Sequence, residues 1–137
     1  MASQIQKKFQ QKQDREVLVL PVRAKLVCNH MRILALDQAS TTSGYSVFDE
    51  GKLETYGHFT FDNMSTGERL THIRNRVLEL VDSYNIDYVI FEDIFLSSTM
   101  GNNVNTLKVL AEVFGVLEET LTEMHIDYEY VLPAVWR

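Results

Sequence analysis

The sequence predicts an α/β domain built on a mixed five-stranded sheet, three strands antiparallel and two more parallel, with flanking helices. Three observations carry this. An apolar run from Arg32 closes on Asp37, a loop of small hydroxyl residues follows, and a second apolar run starts at Tyr45, which reads as strand, turn, strand. Two later stretches, around Leu70 to Tyr84 and Leu107 to Met124, repeat their apolar residues at helical spacing. Each is followed by a short strand-like run, Asp87 to Glu92 and Ile126 to Leu132. A strand that returns after a helix crossover lies parallel to its predecessor.

Residues 1–30 begin Gln- and Lys-rich and then hold a short run, Val17 to Val22, broken by Pro21. Nothing there has the length or period of a core element. The expectation is a loosely ordered basic leader, with the folded domain spanning 31–137. After the opening hairpin, Asp49-Glu50-Gly51-Lys52 supplies a turn, and Leu53 to Phe61 alternates as a third strand. Ser65 and Glu68 stand at capping-box spacing, so a helix starts there; Leu70, Ile73, Val77, Leu80, Val81 and Tyr84 carry it to about Asn85. The continuous apolar run ending at Glu92 predicts a strand covered on both faces. In the second helix, Leu107, Leu110, Phe114, Leu117, Leu121 and Met124 form one row and Val109, Val113 and Val116 a second. That second row meets other core or forms part of a dimer seam. Pro133 suits the first turn of a further helix, so the chain is expected to stop where an element begins, incomplete at its C-terminus.

At 137 residues and 45% hydrophobic composition, one core is the natural solution. The lone Cys28 excludes an internal disulfide, and no Cys/His cluster has metal-ligand spacing. No apolar run approaches the roughly 20 residues of a bilayer span, so a soluble, cytoplasmic protein with no membrane partner is expected. Charge is uneven. Residues 1–30 carry six basic and two acidic side chains, +4, which leaves −10 of the total −6 on residues 31–137. An acidic body is poor electrostatics for gripping phosphates.

The chemistry concentrates on two acids. Asp37 and Glu92 each end a strand, and parallel strands separated by one helix bring such ends to the same sheet edge, where ligands of open α/β sheets gather. Two converging carboxylates repel unless a cation lies between them, and Mg²⁺ prefers oxygen ligands. Such an ion supports phosphodiester hydrolysis without Cys or His. The plainer alternative for Asp37 is a turn cap that accepts N–H groups from Ser40 or Thr41. Asp93, one residue on from Glu92, turns to the opposite face, solvated or hydrogen-bonded.

The stretches Leu34-Ala35-Leu36-Asp37 through Gly44-Tyr45, Tyr88 through Glu92 to Phe95, and Asn105 through Lys108 to Gly115 resemble the RuvC-type Holliday junction resolvases, in particular their phage and Gram-positive versions. These belong to the RNase H-like (retroviral integrase) superfamily. The likeness covers about residues 31–137. It implies a homodimeric, Mg²⁺-dependent endonuclease, with Mn²⁺ as a substitute, that recognises four-way DNA by shape and nicks two strands. By the same likeness Asp37 and Glu92 are the catalytic metal ligands, Phe95 stacks on bases near the crossover, and Lys108 contacts nucleic acid. Ser40, Thr41 and Thr42 would donate to backbone phosphates; as hydroxyls in a turn, they also serve simply to cap it. The family completes its site with further acids on a C-terminal helix, and no counterpart follows Arg137. No small-molecule cofactor is implied. Two other readings differ in class: an ATPase or kinase fragment of the actin and Hsp70 type, whose opening hairpin cradles phosphate, and a non-catalytic module that binds branched DNA or a protein.

Overall fold

The computed structural model describes residues 30–39, 41–94 and 104–132. Residues 1–29, Ser40, the stretch 95–103 with Phe95, and 133–137 lie outside them, and with them nearly all of the expected leader, the Phe95 contact and the helix start at Pro133.

Strands β1 (Arg32–Asp37), β2 (Thr42–Asp49) and β3 (Lys52–Thr60) form the antiparallel meander; α1 (Thr66–Ser83), β4 (Tyr88–Glu92), α2 (Val104–Glu123) and β5 (Asp127–Val131) complete the order. The sheet runs β3-β2-β1-β4-β5, with β4 parallel to β1 and β5 parallel to β4. The mixed five-stranded sheet expected from the sequence is therefore present, and β1 is its central strand.

Local chemistry explains the element ends. The β2–β3 hairpin turns on Glu50 and Gly51, both at positive φ (50° and 77°), as a two-residue loop between right-twisted strands requires. At the start of α1 the Ser65 N–H donates to Glu68 Oε2 at 2.8 Å and the Glu68 N–H donates to Ser65 Oγ at 3.3 Å, the reciprocal capping box. Both helices end alike. Asn85 and His125 take left-handed backbone, and the N–H groups of Ile86 and Ile126 reach back to the carbonyls of Val81 (3.1 Å) and Leu121 (3.0 Å). Each isoleucine is buried and leads into the next strand.

The core lies on one face of the sheet. Leu34, Leu36, Val47, Phe59, Val89 and Phe91 pack with Ile73, Val77 and Leu80 of α1 and with Val113, Leu117 and Leu121 of α2. Phe91 meets Phe114 edge-on at 5.3 Å between centroids. Arg74 ties the helices together, donating to Glu119 at 2.6 Å, to Thr120 Oγ1 at 3.2 Å and to Glu123. Of the second apolar row of α2, Val113 is buried inside the molecule, while Val109 and Val116 are half-buried. Among the described residues no helix is long and apolar enough to cross a membrane.

One expectation needs correction. β4 is not covered on both faces by the described elements: Val89 and Phe91 are buried, but Tyr88, Ile90 and Glu92 are half-exposed. Both helices sit over the other face, and an apolar run cannot by itself distinguish one covered face from two.

Candidate functional site

Alternation along the strands sorts the two sides of the sheet. Positions 34, 36, 89 and 91 face the helices, so 33, 35, 37 and 88, 90, 92 face away. The β1–β4 register runs from Ile33 opposite Tyr88 to Leu36 opposite Phe91. Asp37 and Glu92 therefore each stand one residue past that last pair, at the same end of two strands whose ordinary spacing is about 4.8 Å. On its other side Asp37 pairs with Gly44. A methyl placed on Gly44 would lie 3.8 Å from Asp37 Cβ, so on β2 the same rung presents no side chain beside this carboxylate.

The two acids line one cleft of about 370 Å³, whose other walls include Ala35, Gly44, Ser46 and Gly57. Small residues on three adjacent strands make the depression. Asp37 is exposed and Glu92 half-exposed. The strand is buried on its helix side, but its final carboxylate opens to solvent. Among the described residues no third His, Cys, Asp or Glu joins a metal-holding group with this pair.

A layer behind the acids holds their backbone. Gln38 continues the parity of Leu34 and Leu36 onto the core side and is buried, at 9% exposure. Its carboxamide Nε2 donates to the Glu92 carbonyl, and the Glu92 N–H donates to Gln38 Oε1 at 3.0 Å. The buried Ser43 accepts from the Ala39 N–H at 3.3 Å and steadies the turn. Asp93 accepts from the Ile94 N–H at 2.7 Å, while its own N–H donates to the Val131 carbonyl at 3.0 Å. Reading the sequence singled out neither Gln38 nor Gly57. The signal for Gln38 was its parity, since a polar residue in step with buried leucines must find hydrogen-bond partners.

The remaining candidates are spread out. Thr41 and Thr42 are exposed; Thr42 opens β2 and, two residues from Gly44, shares the side of Asp37. Lys108 stands exposed in the first turns of α2, which packs on the opposite side of the sheet, and lies 4.0 Å from Glu112. The structure does not bring it to the cleft. Ser40 and Phe95 are outside the described residues.

Several cations of the domain are engaged internally. Arg32 donates to the Tyr84 carbonyl (2.8 Å) and to Asp49 (2.9 Å); the hydrogen bond to Asp49 chiefly holds its guanidinium above the usual arginine value. Arg74 is raised in the same way, first by Glu123. Arg76 pairs with Glu79 at 2.5 Å. On the side of the sheet away from the two helices, burial first and then Glu129 push the Tyr88 phenol above its ordinary value.

Antiparallel hairpin, crossover helix, parallel strand and an acid at each of two adjacent strand ends define an RNase H-like domain. The model of the family described as crossover junction endodeoxyribonuclease RuvC matches residues 33–135. The chain belongs to this RuvC family. Crossover junction endodeoxyribonuclease RuvC of Dictyoglomus thermophilum is 28% identical over 92 residues, 64% of this chain and 56% of that protein. That of Caldicellulosiruptor saccharolyticus is 27% identical over 107 residues, 73% of this chain and 62% of its own length. The chain thus spans roughly three-fifths of these relatives. Among solved structures, T. thermophilus RuvC in complex with a Holliday junction substrate shares the fold, with a TM-score of 0.65 at 17% identity over 77% of this chain and 66% of that one.

Proposed function

We propose that this chain is the core of a Holliday junction endonuclease that holds Mg²⁺, with Mn²⁺ as a substitute, between Asp37 and Glu92. The observation that carries the reading is adjacency: two carboxylates, each one residue past the last pair of two neighbouring parallel strands, line one cleft beside a glycine. The donor set fits the ion. Two carboxylates with no neighbouring Cys or His among the described residues suit a hard cation that keeps waters and takes substrate phosphate oxygens as its other ligands. When bound, the ion supplies Lewis-acid stabilisation for phosphodiester hydrolysis.

In this reading Asp37 and Glu92 hold the charge and orient the ion toward the cleft, and Gly44 leaves room for a phosphate to approach Asp37. Thr42, on the same side, donates to a neighbouring phosphate, joined by the hydroxyls of Thr41 and Ser40, which precede it in the chain. Phe95 stacks on bases, which is sequence-tolerant and suits recognition by shape. Lys108, away from the cleft, reaches DNA only along the flank of α2. A homodimer would present two clefts to the two strands of a four-way junction.

The test is a synthetic four-way junction incubated with Mg²⁺ and either the unaltered chain, Asp37→Asn or Glu92→Gln. Nicking by the unaltered chain and loss of it in both variants, with circular dichroism unchanged, is the expected result. Nicking retained in both variants rejects the assignment.

A further inference from the structure

We infer that Gln38 is the positioning residue of the acid pair: its carboxamide sets where Glu92 stands relative to Asp37, and so sets the affinity of the cleft for a divalent cation. The inference rests on the proposed metal-holding role of that pair and adds a residue to it.

The backbone ladder between β1 and β4 has its last rung at Leu36 and Phe91. One step further on, side chain replaces main chain. Gln38 uses both ends of its carboxamide on one residue, giving an N–H to the Glu92 carbonyl and taking the Glu92 N–H at 3.0 Å. This reproduces the exchange a neighbouring strand would make. A carboxamide of this length is the side chain suited to it: Asn is one methylene shorter, and an ionised Glu has no donor for the carbonyl. From the other side, Glu92 is held by its pairing with Val131 of β5. Its backbone is therefore fixed from both neighbouring strands, and Gln38 is the β1 half of that grip.

Asp37 and Gln38 are consecutive, so one dipeptide carries the first acid outward into the cleft and aligns the second acid from behind. Gln38 is buried and makes no use of its polar atoms beyond Glu92 in the described structure. Residues that orient metal ligands in this way are worth about 10- to 100-fold in metal affinity.

The experiment measures Mn²⁺ alone binding to the full 137-residue chain by titration of the free-ion electron paramagnetic resonance signal. Gln38→Met, Asp37→Asn and Glu92→Gln are compared with the unaltered chain below the melting temperature of each. Gln38→Met keeps length and volume and removes both hydrogen bonds. The expected result is half-saturation about 10- to 100-fold higher in Gln38→Met, with binding lost or weaker still in the two acid variants. Weakened binding in both acid variants but unchanged affinity in Gln38→Met, even with a lowered melting temperature, overturns the positioning role alone. Unchanged affinity in the acid variants overturns the acid-pair reading, and the role of Gln38 with it. The unaltered chain gives a readout that needs no variant to fold. By nuclear magnetic resonance the Gln38 carboxamide protons should exchange slowly and shift with added Mg²⁺ at the same half-saturation as the Glu92 amide. A carboxamide that exchanges like a free side chain and does not respond to Mg²⁺ overturns the proposal.

Discussion

Gly57 on β3 lies opposite Tyr45 of β2 in the sheet register, and the Tyr45 ring lies across it. A methyl at Gly57 would stand 2.7 Å from Tyr45 Oη, 2.8 Å from Cζ and 2.9 Å from Cε1. All three are closer than non-bonded heavy atoms tolerate, and the ring is not free to leave, because Tyr45 packs against the core, with its centroid 6.4 Å from that of Phe59. Overpacking of this kind costs about 1–3 kcal/mol. Against it stands the gain of replacing a strand glycine by alanine, about 0.5–1 kcal/mol. Gly57→Ala should therefore destabilise by about 1–2 kcal/mol in the natural background, and stabilise by about 0.5 kcal/mol once Tyr45→Ala has removed the ring. Equilibrium urea unfolding of the four proteins in this double-mutant cycle measures the difference. A coupling of about 2 kcal/mol is expected. If Gly57→Ala costs the same in both backgrounds, the glycine is there for some reason other than the ring.

Other perturbations test the core, the helix start and the charge distribution. Phe91→Ala removes a fully buried ring that contacts Phe114, Tyr128 and Tyr130; calorimetric or denaturant unfolding should show a loss of about 3–5 kcal/mol. The Glu68 carboxyl is held below its ordinary value by the Ser65 side chain and then its backbone. The capping contribution is therefore fully present above the ordinary carboxylate value and lost as pH falls through the depressed one. Glu68→Gln, which keeps an acceptor without titrating, should flatten the acid limb of the melting temperature against pH. Deleting residues 1–30 removes six basic side chains; if all six meet phosphates, the slope of log affinity against log salt for junction DNA should fall by about 5. A slope that does not change would assign residues 1–30 no part in binding.

Much of this fold was legible because local signals agreed with the global arrangement. Ser65 and Glu68 marked a helix start that the structure keeps to the residue, and Tyr84-Asn85 and Met124 marked helix ends that close on left-handed Asn85 and His125. The apolar runs ending on Asp37 and Glu92 gave the strands and, through one crossover helix, their parallel pairing. Sidedness was less legible. The run from Tyr88 to Phe91 reads the same whether one face or two is covered, and only the packing of both helices on Val89 and Phe91 decides it. Gln38 was passed over for a related reason: its role appears only when its parity with Leu34 and Leu36 is combined with the end of the β1–β4 ladder, a fact of register rather than of composition. The pairing of Gly57 with Tyr45 likewise depends on the hairpin register, which slips at the irregularity between Val47 and Phe48 and cannot be counted out from the turn.

The charge arithmetic ties these pieces to the proposed chemistry. Residues 31–137 carry a net −10, and Arg32, Arg74 and Arg76 are committed to Asp49, Glu119, Glu123 and Glu79 within the domain. A cleft bearing two carboxylates on such a body repels a phosphodiester until something changes its local sign. A divalent cation held between Asp37 and Glu92 would make that change where a phosphate has to sit. Metal and junction would then each raise the affinity for the other by the same factor, because the coupling free energy is common to both. Gln38 enters this linkage through geometry alone. It adds no charge, yet by fixing Glu92 it governs how closely the two acids share the ion, and so how much of their mutual repulsion becomes attraction for DNA.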